Sequence, residues 1–345
     1  FAVHLVTLMG IVFTRSMLEK QKSLMVFTLL FLSFSTGFFV SADIFSFFIF
    51  FEAMLIPLFM LIGMYGEFKK SERLSGFFLY NFIGSLILFV SILLIYKYYG
   101  SLTLNKTNKI LWNKNFGYYI WGGLVLGFLW RIPIWPFHYW ISSITTRIHN
   151  PLVFIITSIL PLSGIYGLIR FWPKYIPLEI SQHFIWLSII GSVTMLFISM
   201  IGFINKDFQY KVFAFITVYY IMYLLGLFTR NDLVLNNIGY ALFGFLMVFG
   251  ALEVLSAYVY NLQQEYDTSA SGFLCRAKRL SISYSFLTVA AVGFPVSAMF
   301  TNNFLIVSEL LTENIHMGSL LMLSSVIASA TLISELFRLK NDTKS

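Results

Sequence analysis

Apolar runs of eighteen or more residues, joined by short polar connectors, recur from one end of this 345-residue sequence to the other. Each is long enough to cross a hydrocarbon layer about 30 Å thick as an α-helix. No other feature narrows the possible folds as far. Stretches such as LILFVSILLIYKYY, residues 86–99, are apolar on every face and lack the period-two alternation of a membrane barrel, so the spanning elements are helices. Only 11% of the residues are charged, against about 25% for an ordinary soluble domain. The expected fold is therefore an all-α polytopic membrane protein, a single transmembrane domain over 1–345.

The runs predict eleven spans, at 1–13, 23–41, 44–65, 76–99, 118–140, 152–171, 182–204, 212–228, 233–260, 281–309 and 315–337. With that segmentation the connectors carry fifteen Lys and Arg on one side and seven on the other; Arg131, inside a span, is the last of the 23. Connectors rich in Lys and Arg stay on the inner side. The first residue then lies outside and the C-terminus inside. Because the +8 net charge is spread over these connectors, it is a topology signal and gives no reason to expect nucleic acid.

Several functions are excluded by what is missing. One cysteine, Cys275, rules out a disulfide framework and a cysteine-held iron–sulfur cluster within the chain. The five histidines show no metal-ligand spacing, and neither a dinucleotide fingerprint nor a P-loop occurs. The glycines of WGGLVLG sit inside an apolar run, where close helix packing explains them. No cofactor is expected in the chain itself.

Polar groups inside the spans carry the functional signal. Glu52 lies about eight residues into its span, where an ionised carboxylate costs about 2.5–3.5 kcal/mol even on mild insertion scales. Arg131, in GFLWRIPIWPFHYW, is the expected partner. At an effective dielectric near 20 and a separation of roughly 7 Å, such a pair is worth about 2.4 kcal/mol, comparable with the cost. His138 at the end of the same span and Glu253 in VFGALEVLSAYVY are further proton-relay candidates, with Glu309 a weaker one. Glu335 also stands near a span end, and Arg170 and Lys211 are expected to be interfacial anchors. Pro133, Pro136 and Pro295 fall in mid-run and predict two broken helices, since proline removes a backbone donor. These two spans are five apart and so run in opposite directions. That arrangement predicts an inverted repeat, with halves at 23–171 and 182–337.

At these residues the sequence resembles a known family. FFEAMLIPLFMLIGMYG, YNFIGSLILFVSILLIYKYYGSL, RIPIWPFHYW and IYGLIRF match, in order and spacing, motifs of NADH dehydrogenase subunit 4, a proton-pumping membrane subunit of respiratory complex I. NKDFQYKVFAFITVYYIMYLLGLF, ALFGFLMVF and GFPVSAMFTNNFLIVSEL are similar to later helices of that family. The resemblance implies an antiporter-like fold of fourteen helices, of which eleven are present. It implies location in the mitochondrial inner membrane, with the first residue on the intermembrane-space side and the C-terminus in the matrix. NADH, FMN, iron–sulfur clusters and ubiquinone are expected on partner subunits. The implied partners are other membrane-arm subunits, lipids such as cardiolipin and other respiratory complexes. Sibling subunits 2 and 5, a cation/proton antiporter and a structural subunit with an impaired channel are the alternatives.

Carried over by position, Glu52 matches the family's channel glutamate, and Arg131 stands where the family has a lysine. Pro133, Phe137, His138 and Trp140 match the motif that follows. Leu162 and Asn303 replace a second lysine and a glutamate, and WISSITTRIHNP is two residues longer than its counterpart. A lysine can give up its proton when desolvated, and an arginine effectively cannot. These replacements imply weak proton conduction, or an altered route through Glu52, His138 and Glu253.

Overall fold

A computed structural model describes residues 1–14, 21–66, 71–103, 114–138, 140, 150–175, 184–229, 231–266, 278–295, 297 and 299–340. The 141–149 insertion, Cys275 and many of the connector cations counted above lie outside them. The described residues form thirteen helices: α1 (Ala2–Thr14), α2 (Gln21–Val40), α3 (Ile44–Ala53), α4 (Leu55–Tyr65), α5 (Ser71–Tyr99), α6 (Lys114–Leu129), α7 (Pro151–Tyr175), α8 (Phe184–Ile204), α9 (Phe208–Phe228), α10 (Asp232–Tyr266), α11 (Lys278–Val292), α12 (Phe300–Glu313) and α13 (Ile315–Lys340). No strand occurs among them; a single antiparallel bridge joins Asp43 to Thr103. Seven segments are long and apolar enough to span a membrane, and four shorter apolar helices, at 2–12, 117–129, 155–171 and 279–292, fall at the other four expected spans.

Three of those spans are interrupted, where two were expected. The run 118–140 is helical only to Leu129 and continues through turns at Trp130–His138. The run 281–309 divides into α11 and α12 around Gly293, whose φ of 82° suits a residue without a side chain. The third interruption separates α3 from α4 at Met54. Its cause is Pro57, which has no N–H to offer the Ala53 carbonyl and whose ring crowds it. The break therefore falls two residues after Glu52.

The chain divides into two compact units. One comprises residues 15–148 and 156–185, and the other residues 1–14, 149–155 and 186–345. In the former, α5 and α6 pack most extensively, along Gly123 and Gly127. A Cβ on Gly127 would sit 2.8 Å from the Leu88 Cβ, so only glycine permits this approach. An aromatic core of Phe38, Phe47, Phe51, Phe128, Tyr166 and Phe171 fills the same unit. In the other unit α9 is enclosed, buried at every residue from Lys211 to Phe228. A helix that is apolar all round belongs inside a bundle.

Candidate functional site

Glu52 and Arg131 meet in the first of these units. Arg131 Nη2 donates to Glu52 Oε1 at 3.1 Å, much closer than the separation expected above. Arg131 is 1% exposed on its side chain and Glu52 is 24% exposed. The guanidinium lies over the Phe51 ring, Cζ 3.2 Å from the centroid, and its Nη1 donates to Ser163 Oγ at 3.3 Å. Ser163 passes its own hydroxyl to the Leu160 carbonyl at 2.7 Å. Arg131 Nε is buried with no hydrogen-bond partner among the described residues. The arrangement fixes a cation between a carboxylate, a hydroxyl and an aromatic face, so the charge is offset in three ways.

The broken segment holds Arg131 in this position. Its backbone N–H donates to the Phe128 carbonyl at 3.2 Å, and Ile132 N–H to the Leu129 carbonyl at 2.9 Å. Next to it, Trp130 Nε1 donates to the Tyr80 carbonyl of α5 at 2.7 Å. The Trp130 ring lies over Gly84, where a Cβ would overlap it. The Tyr80 hydroxyl reaches forward to the Phe137 carbonyl at 3.1 Å. The segment thus hangs from α5 at both ends, and the chain's turn delivers the guanidinium to α3. A cis peptide joins Trp135 to Pro136.

The other sequence candidates are spread out. His138 is half-buried, and its Nδ1 is buried without a partner among the described residues. Leu162 is buried beside Ser163, so the position of the second family lysine offers no charge. Glu253 belongs to the other unit, on α10, and is buried near the Tyr220 ring of α9. Glu309 is half-buried on α12, four residues before Glu313. Outside the spans, burial and then Glu309 push the Glu313 carboxyl above the ordinary carboxylate range. Asn303, at the family's glutamate position, keeps its Oδ1 buried and without a partner among the described residues.

Two basic residues expected to anchor at the interface do something else. Arg170 donates to the Phe39 carbonyl at 3.3 Å and to the Ser41 carbonyl, closing the C-terminal end of α2. Lys211 is buried, and its Nζ stands 2.6 Å from Glu335 Oε2. Lys211 lies near a span end, where depth alone reads a basic residue as an anchor. The available signal was the absence of a polar face on α9, which predicts enclosure for whatever that helix carries.

A family model described as NADH:quinone oxidoreductase/Mrp antiporter, TM, matches residues 41–329. The chain is 30% identical over 305 residues to NADH-ubiquinone oxidoreductase chain 4 of Acanthamoeba castellanii, covering 84% of this chain and 58% of that protein. It is 25% identical over 334 residues to NADH-quinone oxidoreductase subunit M of Rhodobacter capsulatus, covering 92% and 65%. The chain thus spans less than two thirds of the length of either relative. In fold it is similar to a chain of respiratory complex I from Thermus thermophilus, with a TM-score of 0.89 at 21% identity, covering 100% of this chain and 73% of that one. A chain of an Mrp complex from a Dietzia species gives a TM-score of 0.80 at 16% identity, covering 100% and 66%.

Proposed function

From its membership of the NADH:quinone oxidoreductase/Mrp antiporter transmembrane family, to which this chain belongs, we propose that it is the subunit 4 type of membrane-arm subunit in respiratory complex I and takes part in proton translocation. In this reading NADH, FMN, iron–sulfur clusters and ubiquinone act on other subunits, and this chain moves protons. The membrane is the mitochondrial inner membrane, with the Lys- and Arg-rich connectors and the C-terminus on the matrix side. Neighbouring membrane-arm subunits, cardiolipin and other respiratory complexes are its partners.

The observation that carries the reading is the buried contact of Glu52 with Arg131 beside two helix interruptions. A carboxylate within a span, partly exposed and paired with a buried cation, is what a proton-handling site requires. The test is the proton yield per NADH oxidised by the assembled complex in liposomes. Glu52→Gln is expected to lower it; an unchanged yield would reject a translocating role for Glu52.

A second reading is favoured by the same contact. A guanidinium held at 3.1 Å, over Phe51 and bonded to Ser163, cannot release its proton and keeps the carboxylate occupied. In that case the chain is a structural subunit whose channel in this unit is impaired. A full complement of protons per NADH would count against this version.

A further inference from the structure

The buried acid–base pair of the other unit has a property that Glu52 and Arg131 lack. Glu335 is fully buried on α13, and Lys211 Nζ on α9 approaches its Oε2 to 2.6 Å. Arg338, one turn further along α13 and 41% exposed on its side chain, donates Nη1 to Glu335 Oε1 at 3.2 Å and to the Lys206 carbonyl at 2.9 Å. Exposure therefore falls from Arg338 at the surface to Glu335 and Lys211 inside. From α11, Tyr284 faces Glu335 electrostatically, and its hydroxyl is buried with no hydrogen-bond partner among the described residues. Asp207, which caps α9 by accepting from Gln209 N–H at 3.0 Å, is the other acid nearby in sequence. The acids of α12, Glu309 and Glu313, lie near the opposite end of α13, which begins at Ile315; twenty residues of helix separate that end from Glu335, about 30 Å.

We propose that Lys211 and Glu335 form a proton-exchange site at the surface end of α9, with Arg338 as its outer cation and Tyr284 as a neighbouring polar group. This rests on the reading above that the chain takes part in translocation. At 2.6 Å, with no atom between, the Nζ–H bond can break as an Oε2–H bond forms, leaving a neutral amine and a neutral acid. Both neutral forms are tolerated at a site this far buried. The guanidinium of Arg131 has no such neutral form. The carboxylate–lysine pair suited to exchange thus lies in the unit built around α9, and Glu52 with Arg131 is its fixed-charge counterpart.

The decisive variant is Lys211→Arg, which keeps the charge and the contact and removes the exchangeable proton. In the assembled complex reconstituted in liposomes, the expected result is a loss of proton yield per NADH oxidised relative to the unaltered complex. A purely structural pair would be rescued by arginine, so an unchanged yield overturns the proposal. Should Lys211→Arg fail to assemble on native gels, the double variant Lys211→Met with Glu335→Met is counted the same way, since matched apolar replacement of a buried pair is often neutral for stability. A reduced yield supports the proposal; an unchanged yield, or failure of the double variant to assemble, overturns it. The unaltered complex serves as the reference. If it builds no gradient while oxidising NADH, the reading beneath fails; if it pumps and Lys211→Arg pumps equally, only this inference does.

Discussion

Deleting the two members of the Glu52–Arg131 pair is not symmetrical, and the difference can be worked out. At 3.1 Å and an effective dielectric near 20, the mutual attraction is about 5 kcal/mol. Exposure then decides what each deletion leaves behind. With Glu52→Gln, a guanidinium 1% exposed on its side chain stays charged with no counter-ion, a cost of about 3–5 kcal/mol. With Arg131→Gln, the remaining carboxylate is 24% exposed and can take up a proton, a cost nearer 1–3 kcal/mol. Glu52→Gln is therefore expected to be the more damaging variant by about 2 kcal/mol. The double change Glu52→Gln with Arg131→Met removes both charges and is expected to recover most of that loss. Graded heating of the detergent-solubilised complex, followed by native gels, gives a midpoint for each variant. Equal losses in the two single variants would refute the asymmetry, and a double variant that loses the sum of both would mean that the pair carries no coupling.

Other outcomes follow from the same geometry. Gly164→Ala would place a Cβ 2.6 Å from the Phe128 carbonyl, and a loss of about 1–3 kcal/mol is expected in the same heating assay; Gly122→Ala, with nothing within 4 Å, is expected to match the unaltered protein. Arg131→Lys supplies a base that can release its proton, so the yield per NADH in liposomes is expected to rise if the guanidinium is what blocks this unit. Asp43→Ala removes the acceptor for Ser46 N–H at 2.8 Å at the start of α3, at a cost of about 1 kcal/mol. Burial raises the Asp43 carboxyl, but the Ser46 hydroxyl and the backbone N–H groups outweigh it and hold it below its ordinary value. Its contribution is then complete above the ordinary carboxylate range and disappears as the pH falls through the lowered value, so the gap between variant and parent is expected to close in acid.

Span positions were legible because length and apolarity are local properties, and all eleven expected segments coincide with apolar helical segments. The breaks near Pro133 and Pro295 were legible for the same reason. Pro57 carries an identical signal, yet its effect appears three residues upstream at Met54, where the sequence reads as uninterrupted helix. Contacts were harder to read. Glu52 and Arg131 share one unit, but their distance depends on how Trp130 hangs from α5, and that depends on Gly84. The pairing of Lys211 with Glu335 was hidden for a different reason: depth along a span does not say which side of a helix is covered. The burial of α9 on every side decided the role of Lys211, and that is a property of its neighbours.

The enclosure of α9 also bears on how the chain is made. Lys211 finds its counter-ion 124 residues later, on the last helix described. During synthesis α9 must enter the bilayer among lipids, with its ammonium held at the headgroup level until α13 arrives. Only then can the lysine be drawn inward and the helix sealed from the acyl chains. A chain interrupted before Glu335 would therefore leave Lys211 without the carboxylate that meets it in the folded unit.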